Sequence, residues 1–251
     1  MTDKTKMELI LSKRPRENEP YLQLAVAENY GALCESASDM IAGCIIKGIV
    51  DNGRFVLGLC TGTPAPGVYR SLAMKDGIDW SCVHIFLLEE VLAGDMRGAC
   101  LETLRNNFLR YVPIPGDNIH TPDSEGFTAA PQRFSAEYER SITDSGGLDL
   151  AVVTQSEKFG VSYVNRDTGF SDHCGVVGET DSGFIAAVPG IMTIARARKT
   201  VLLSAGKNRA LGLKLFMTGT EDPARPVTLL RYCPDITVFA GHEAASLLRR
   251  L

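Results

Sequence analysis

The fold of this chain is decided by one stretch, residues 54–70, which reads Arg54-Phe-Val-Leu-Gly-Leu-Cys-Thr-Gly-Thr-Pro-Ala-Pro-Gly-Val-Tyr-Arg70. Residues 55–59 form a short apolar run typical of a buried strand, and a polar turn separates this run from a segment of helical character that resumes at Gly67. In open α/β sheets, ligands bind outside the carboxyl ends of the strands, and a helix N-terminus offers unpaired N–H groups to an anion. The turn at residues 61–63 is therefore a candidate phosphate-binding loop, and an ordinary strand-to-helix turn is the alternative.

Composition and charge limit the classes of protein to consider. The chain has 251 residues, of which 45% are hydrophobic and 22% charged, as in ordinary globular proteins. A net charge of -4 offers no basic surface to nucleic acid. No apolar run approaches the ~20 residues that a membrane helix needs, and the seven cysteines include no CxxC pair, which disfavours zinc and disulfides. We expect a cytoplasmic protein without metal or cofactor and without a nucleic-acid or membrane partner.

The rest of the chain alternates predicted helices and strands. Residues 1–20 carry prolines and mixed charges, which predicts a flexible N-terminal arm. Residues 21–50 have apolar side chains at helical spacing and are predicted to form one long helix or two. Strands are predicted to start near residues 55, 83, 149, 200 and 236. The length and composition favour a single α/β domain over residues 21–251.

Two adjacent carboxylates follow the predicted strand at residues 83–88, which runs directly into Glu89 and Glu90. Since side chains alternate along a strand, we expect one carboxylate to face the site and the other to face solvent. A carboxylate can act as a general base when it lies within hydrogen-bond reach of the proton that it removes. A solvated strand end is the alternative interpretation.

The stretch that decides the fold resembles the phosphate loop of the glucosamine-6-phosphate deaminase/isomerase family, which is related to the 6-phosphogluconolactonases. The family pattern Leu-x-Thr-Gly-Ser-Thr-Pro-Leu-Gly-Leu-Tyr is matched at Thr61, Gly62, Gly67 and Tyr69. Pro64 stands where the family has Thr, and proline has no N–H to offer an anion. The loop is therefore altered in this chain.

Other segments extend the resemblance over roughly residues 25–250. Residues 80–90 resemble the family's Trp-x-x-Val-x-x-Phe-x-Leu-Asp-Glu-Tyr, with Glu89 at the position of the Asp that shuttles the proton. Residues 112–120 match a connector that deaminases and lactonases share, Val-x-Ile-Pro-x-x-Asn-Ile-His. The resemblance implies a doubly wound α/β fold with a mostly parallel sheet and helices on both faces.

The chain departs from the family after the predicted strand that ends at Thr154. There the family has Gly-x-Gly-x-x-Gly-His-Ile-Ala-Phe-Asn-Glu-Pro, and its His helps to open the sugar ring. In one register Gly160 takes the position of this His, and a one-residue slip instead aligns Asn165 with the family's Asn. Both registers lack the His, and an imidazole is hard to replace as an acid or base near neutral pH. The polar candidates nearby are Glu157, Lys158, Asp167 and His173.

A pair of cations follows the predicted strand at residues 198–206. The family reads Gly-x-x-Lys-Ala here, and its Lys contacts phosphate. Arg209 takes the position of that Lys, and Lys207 is close by. The guanidinium fork of Arg suits phosphate, and a cation at a helix N-terminus, where the dipole disfavours it, indicates an anion nearby. A solvated helix start is the alternative.

The resemblance implies an enzyme of carbohydrate metabolism, an isomerase or deaminase that acts on a 6-phosphorylated amino sugar and often assembles as a homo-oligomer. Glu89 would move a proton between C1 and C2, Glu90 would support it, and His173 is a candidate for the missing His. The residues expected to hold the phosphate are Thr61, Gly62, Thr63, Lys207 and Arg209. Two alternatives stay open: an inactive relative that binds a sugar phosphate as a sensor or partner subunit, and a hydrolase like the 6-phosphogluconolactonases.

Overall fold

The computed structural model describes residues 8–13, 21–122, 124–157, 159–164, 175–179, 184–188 and 190–248. Its strands are β1 (Glu8–Lys13), β2 (Tyr21–Ala27), β3 (Phe55–Leu59), β4 (Val83–Leu87), β5 (Glu90–Ala93), β6 (Ile119–His120), β7 (Leu150–Thr154), β8 (Gly175–Glu179), β9 (Phe184–Val188), β10 (Lys199–Ser204) and β11 (Asp235–Gly241). Its α-helices are α1 (Tyr30–Asn52), α2 (Ala65–Ala73), α3 (Ala99–Asn107), α4 (Ser124–Ala129), α5 (Pro131–Asp144), α6 (Ile191–Ala195) and α7 (Ala210–Thr218).

The larger sheet has eight strands in the order β1-β2-β11-β10-β7-β3-β4-β6. All neighbouring pairs are parallel except β1 and β2, which are antiparallel. A smaller antiparallel sheet has the order β5-β9-β8. The mostly parallel sheet is confirmed, and the predicted strand starts near 55, 83, 149, 200 and 236 correspond to β3, β4, β7, β10 and β11.

Strand β3 divides its side chains between two cores, one on each face of the sheet. Phe55, Leu57 and Leu59 pack in a core with residues of α1, α2 and α3. Val56, and Cys60 directly after the strand, pack in the other core with residues of α5, α6 and α7. Because side chains alternate along a strand, an apolar run without alternation is buried on both faces. The expected helices on both faces are therefore confirmed.

One prediction for the N-terminal part of the chain is wrong. Residues 21–27 form β2 instead of a helix, and this strand lies between β1 and β11. Its last four residues, 24–27, are all buried, which fits a strand covered on both faces better than a one-sided helix. Residues 8–13, within the predicted N-terminal arm of residues 1–20, form β1, which pairs with β2 at the sheet edge. The flexibility of the arm stays a prediction.

Helix α1 starts where β2 gives way to a capping residue. The Asn29 side chain accepts a hydrogen bond from the Ala32 amide at 2.9 Å, as an N-cap residue does. The helix ends at Gly53, whose φ of 74° is left-handed and whose amide donates to the Ile49 carbonyl. Among the helices of the described residues, none combines the length and the apolarity of a membrane span.

Glycine at position 48 allows α1 to lie against β3. A Cβ at Gly48 would be 2.3 Å from Cδ2 of Phe55, whose ring is buried. Gly43 lies earlier in the same helix, and a Cβ there would meet nothing within 4 Å. The two glycines thus differ in packing although both lie inside the same helix.

We expect Gly48→Ala to destabilise the protein by about 1–3 kcal/mol, because the methyl group would overpack against the Phe55 ring. The matched control, Gly43→Ala, should stabilise it by up to about 1 kcal/mol through helix propensity alone. Urea unfolding of the three proteins measures both changes. Equal effects of the two substitutions would contradict the proposed packing of α1 on β3.

Candidate active site

The candidate site lies where the chain reverses its direction across the larger sheet. From β3 the chain continues to β4 on one side, whereas from β7, the neighbour of β3, it continues to β10 on the other side. Such a switch point leaves a crevice at the carboxyl ends of the strands. A cavity of about 210 Å³ lies there. It is lined by Thr61, Gly62, Thr63, Glu89, Met96, Ala99, Cys100, Thr103, Thr154, Gln155, Ser156, Ser162, Tyr163 and Arg209.

Glu89 is a buried carboxylate in the wall of this cavity, with 2% of its surface exposed. Its Oε1 accepts hydrogen bonds from the Thr61 amide at 2.6 Å and from the Thr61 hydroxyl at 3.1 Å. Burial raises the pKa of Glu89, and the bonds from Thr61, Ser162 and Gly62 oppose that rise. A carboxyl with a raised pKa in a cleft is a candidate general base.

The turn between β3 and α2 is largely committed to contacts within the protein. The amides of Thr61 and Gly62 face the Glu89 carboxylate, and the Ala65 amide donates to the Gly62 carbonyl at 2.9 Å. Pro64 has no N–H. Within the described part of the chain, no residue accepts a hydrogen bond from Thr63. An anion at this turn would therefore depend on Thr63 and would lie close to a carboxylate.

Glycine is required at position 62 by the approach of β7. A Cβ there would lie 2.5 Å from Oγ1 of Thr154, the last residue of that strand. The absence of a side chain lets the turn after β3 pack directly on the end of β7. Gly62 therefore shapes the floor of the cavity.

Glu90 does not share the environment of Glu89. It is also 2% exposed, and its carboxylate accepts from the amides of Val91 at 2.8 Å, Cys100 at 3.0 Å and Leu101 at 2.9 Å. The last two amides belong to the first turn of α3, whose N-cap, Gly98, has no side chain. Glu90 thus caps α3, as anions do at helix N-termini.

The expectation that one of the two carboxylates faces solvent is therefore wrong. Simple alternation does not apply, because β4 ends at Leu87 and a new strand, β5, begins at Glu90. The change of direction buries both side chains. Glu90 supports the site only indirectly, by holding the helix that presents Cys100 and Thr103 to the cavity.

The loop after β7 is tightly packed at Gly160, which takes the position of the family's His in one of the two registers. A Cβ at Gly160 would lie 2.2 Å from the Val164 carbonyl oxygen and 2.4 Å from Oγ of Ser156. The loop is tight, with Phe159 and Ser162 at positive φ of 60° and 53°, conformations that cost about 1–3 kcal/mol each in non-glycine residues. No side chain fits at position 160 in this loop.

Four polar residues are candidates to replace the family's His: Glu157, Lys158, Asp167 and His173. Glu157 accepts a hydrogen bond from the Asn208 amide group and is absent from the cavity wall. Lys158, Asp167 and His173 lie outside the described residues. His173 therefore stays a prediction.

Cys100 and Tyr163, which the sequence analysis did not predict for the site, line the same cavity as Glu89. The hydroxyl of Tyr163 lies 3.9 Å from Sγ of Cys100. Burial, and then the charge of Glu89, raise the pKa of Cys100 to about 12, and burial raises the pKa of Tyr163 as well. Both groups stay protonated at neutral pH, so they can donate hydrogen bonds while Glu89 accepts protons.

Arg209 presents a positive charge to the same cavity. Its Nε donates to the Gln155 carbonyl at 2.8 Å, and one Nη donates to the Ala205 carbonyl at 2.9 Å and to Oδ1 of Asn208 at 3.1 Å. All three acceptors are neutral, and among the described residues Arg209 forms no ion pair. Lys207, two residues earlier, is exposed and does not line the cavity.

The structure thus brings together five of the residues predicted for the site, Thr61, Gly62, Thr63, Glu89 and Arg209, and leaves out Glu90 and Lys207. Residues missed by the sequence include Thr154, Gln155, Ser162 and Tyr163. The rule that ligands meet the carboxyl ends of strands would have found the first two, since they end and follow β7. No pattern marks Ser162 or Tyr163, which reach the cavity through the tight loop.

This chain is similar in sequence to one protein family and to individual deaminases. A model of the family described as glucosamine-6-phosphate isomerases/6-phosphogluconolactonase matches residues 28–159. The glucosamine-6-phosphate deaminases of Halothermothrix orenii and Alkaliphilus oremlandii are 29% and 28% identical to this chain, over 90% and 89% of it and over 100% and 98% of their own lengths.

Solved structures share the fold. A monomeric glucosamine-6-phosphate deaminase superposes with a TM-score of 0.77 at 20% identity, covering 89% of this chain and 99% of its own. The 6-phosphogluconolactonase of Thermotoga maritima superposes with a TM-score of 0.75 at 18% identity, covering 88% of this chain and 99% of its own.

The burial of Glu89 predicts a dependence of stability on pH. Its pKa is raised in the folded protein, so the folded state binds the proton more tightly than the unfolded chain, whose Glu titrates near pH 4.3. The stability contributed by protonated Glu89 is complete below that pH and is lost as the pH rises through the folded value. We expect the free energy of unfolding of the wild type, relative to Glu89→Gln, to fall as the pH rises above about 4.3.

Urea unfolding at several pH values measures this difference, and Glu102→Gln, at an exposed position of α3, is the matched control. The control should follow the wild type at every pH. A difference between the wild type and Glu89→Gln that stays constant or grows with pH would contradict the raised pKa.

Proposed function

We propose, since this chain belongs to the family of glucosamine-6-phosphate isomerases and 6-phosphogluconolactonases, that it isomerises or deaminates a 6-phosphorylated amino sugar. The observation that carries the proposal is a single cavity that holds a buried carboxylate, Glu89, and a guanidinium, Arg209, that forms no ion pair within the described part of the chain. The carboxylate suits proton transfer at carbon, and the guanidinium suits a phosphate.

The proposed orientation follows from where the charges lie. The phosphate would contact Arg209 and Thr63, because the amides of Thr61 and Gly62 already face Glu89. The opposite end of the sugar would then lie near Glu89. Seven hydroxyl side chains in the cavity wall, those of Thr61, Thr63, Thr103, Thr154, Ser156, Ser162 and Tyr163, match the hydroxyl groups of a sugar.

In the proposed reaction Glu89 removes the proton from C2 of the open-chain amino sugar and returns it to C1. With the shift of a second proton from the C2 amine to O1, this transfer converts the C1 aldehyde and C2 amine into a C1 hydroxyl and a C2 imine. Hydrolysis of the imine by water then gives a ketose phosphate and ammonia. Protonated Tyr163 would donate a hydrogen bond to a sugar oxygen without giving up its proton. His173 remains our candidate for the acid that opens the ring.

The relatives favour a deaminase over a lactonase, because the two proteins compared above at 28% and 29% identity carry the name glucosamine-6-phosphate deaminase. A second candidate function is an inactive relative that binds the sugar phosphate. The tight packing at Gly160, which leaves no room for the family's His, favours this candidate. Turnover separates the two.

We also propose that residues 21–251 form one domain. Assembly into a homo-oligomer and a cytoplasmic location stay predictions, and the solved deaminase above is described as monomeric.

We expect Glu89→Gln to reduce turnover of glucosamine 6-phosphate by about 10²- to 10⁴-fold, the usual contribution of a general base. Binding should survive, because the amide can still accept from Thr61. Ammonia release measures turnover, and a thermal shift measures binding, since a ligand at ~100 times its Kd adds about 2.7 kcal/mol of stability. Glu102→Gln is the matched control and should keep full activity.

The outcomes discriminate between the candidates. Binding without turnover by the wild type would favour the inactive relative. Unchanged turnover in Glu89→Gln would remove Glu89 from the mechanism. No binding of any 6-phosphorylated sugar by the wild type would contradict the proposed function as a whole.

A further inference from the structure

Gln155 is a buried amide that joins three elements at the edge of the cavity. It follows β7 directly, and only 1% of its surface is exposed. Its amide nitrogen Nε2 donates to the Arg209 carbonyl at 2.9 Å, and its Oε1 accepts from the Ser204 hydroxyl at 2.8 Å. Gln155 thus connects the end of β7 with the end of β10 and the start of α7.

The contact between Gln155 and Arg209 is reciprocal. While the Gln155 side chain donates to the Arg209 main chain, the Arg209 side chain donates through Nε to the Gln155 main-chain carbonyl at 2.8 Å. The main-chain amide of Gln155 donates to the Leu203 carbonyl at 3.0 Å, so that its carbonyl is fixed by the sheet. One of these hydrogen bonds therefore holds the main chain of Arg209, and the other holds its side chain.

Ser204 fixes the orientation of the amide. Its hydroxyl is fully buried and donates to Oε1, which leaves Nε2 to face Arg209. Helix α7 passes close to this point, since a Cβ at Gly212 would lie 2.3 Å from Nε2. The glycine makes room for an amide of this length, and this amide is neutral, so Gln155 itself offers no counter-charge to Arg209.

We infer that Gln155 is a positioning residue that determines the affinity of the cavity for phosphate by aiming the Arg209 guanidinium. This inference rests on the proposed function, in which Arg209 contacts the phosphate of the substrate. An apolar residue at 155 would keep the core packed but would release the start of α7 and leave the guanidinium free to turn away. A bidentate contact with phosphate depends on the direction of the fork.

The test measures binding of inorganic phosphate by calorimetry and turnover of glucosamine 6-phosphate for the wild type, Gln155→Leu and Arg209→Met. We expect phosphate binding to weaken by about 10- to 100-fold in both variants, the range for one hydrogen bond to a charged group. KM should rise by a similar factor in Gln155→Leu with kcat nearly unchanged, because a contact made equally in the ground and transition states affects KM alone. Binding of unphosphorylated glucosamine should not change.

Two further variants separate positioning from stability. Gln155→Leu leaves the buried Ser204 hydroxyl without an acceptor, so the double variant Gln155→Leu/Ser204→Ala should recover thermal stability but not phosphate affinity. This double variant replaces Gln155→Leu if the single variant does not fold. Gln23→Leu removes a half-buried amide that bridges β2 and β11 away from the cavity, and it should bind phosphate as the wild type does.

Each outcome decides between the inference and the proposed function. Weakened binding in Arg209→Met with wild-type binding in Gln155→Leu would overturn the role of Gln155 and leave the function intact. Wild-type binding in both variants, or no phosphate binding by the wild type, would overturn both. Recovery of phosphate affinity in the double variant would show that Gln155 acts only through stability, which also overturns the inference.

Discussion

The site depends on the hydrogen bond between the Thr61 amide and the Glu89 carboxylate, 2.6 Å long and buried at the ends of β3 and β4. Burying a carboxylate is unfavourable unless hydrogen bonds compensate it. Here the turn after β3 supplies those bonds, and the carboxylate in turn fixes the turn. The amides of Thr61 and Gly62 therefore face Glu89, and in our proposal Glu89 moves the proton while Arg209 and Thr63 bind the phosphate.

The surrounding fold serves this arrangement. The sheet brings β3 beside β7 at the point where the chain reverses direction, and Gly62 lets the turn pack on the end of β7. Glu90 caps α3, the helix that presents Cys100 and Thr103 to the cavity. The two neighbouring carboxylates thus do different work because one meets the amides of a turn and the other meets those of a helix.

Features that depend on residues close together in the sequence are predicted well. The strands β3, β4, β7, β10 and β11 are recognisable because each is an apolar run bounded by turn residues, and Glu89 and Arg209 are recognisable because each follows a strand. The sequence predicts a helix at residues 21–27, because their apolar residues continue the helical spacing of the segment that follows, whereas the burial of all four residues 24–27 is a feature of a strand covered on both faces. The roles of Glu90 and Gln155 depend on partners far along the chain, at Cys100 and Arg209, so the sequence alone does not reveal them.

The most direct measurement is a crystal structure of Glu89→Gln soaked with glucosamine 6-phosphate. We expect the phosphate to contact the Arg209 guanidinium, and C2 of the sugar to lie within about 3.5 Å of the residue 89 amide, the distance of a reactive arrangement. A phosphate bound at the Thr61–Gly62 turn with the sugar directed away from residue 89, or a ligand bound outside this cavity, would contradict the assignment of Glu89 as the base and Arg209 as the phosphate ligand.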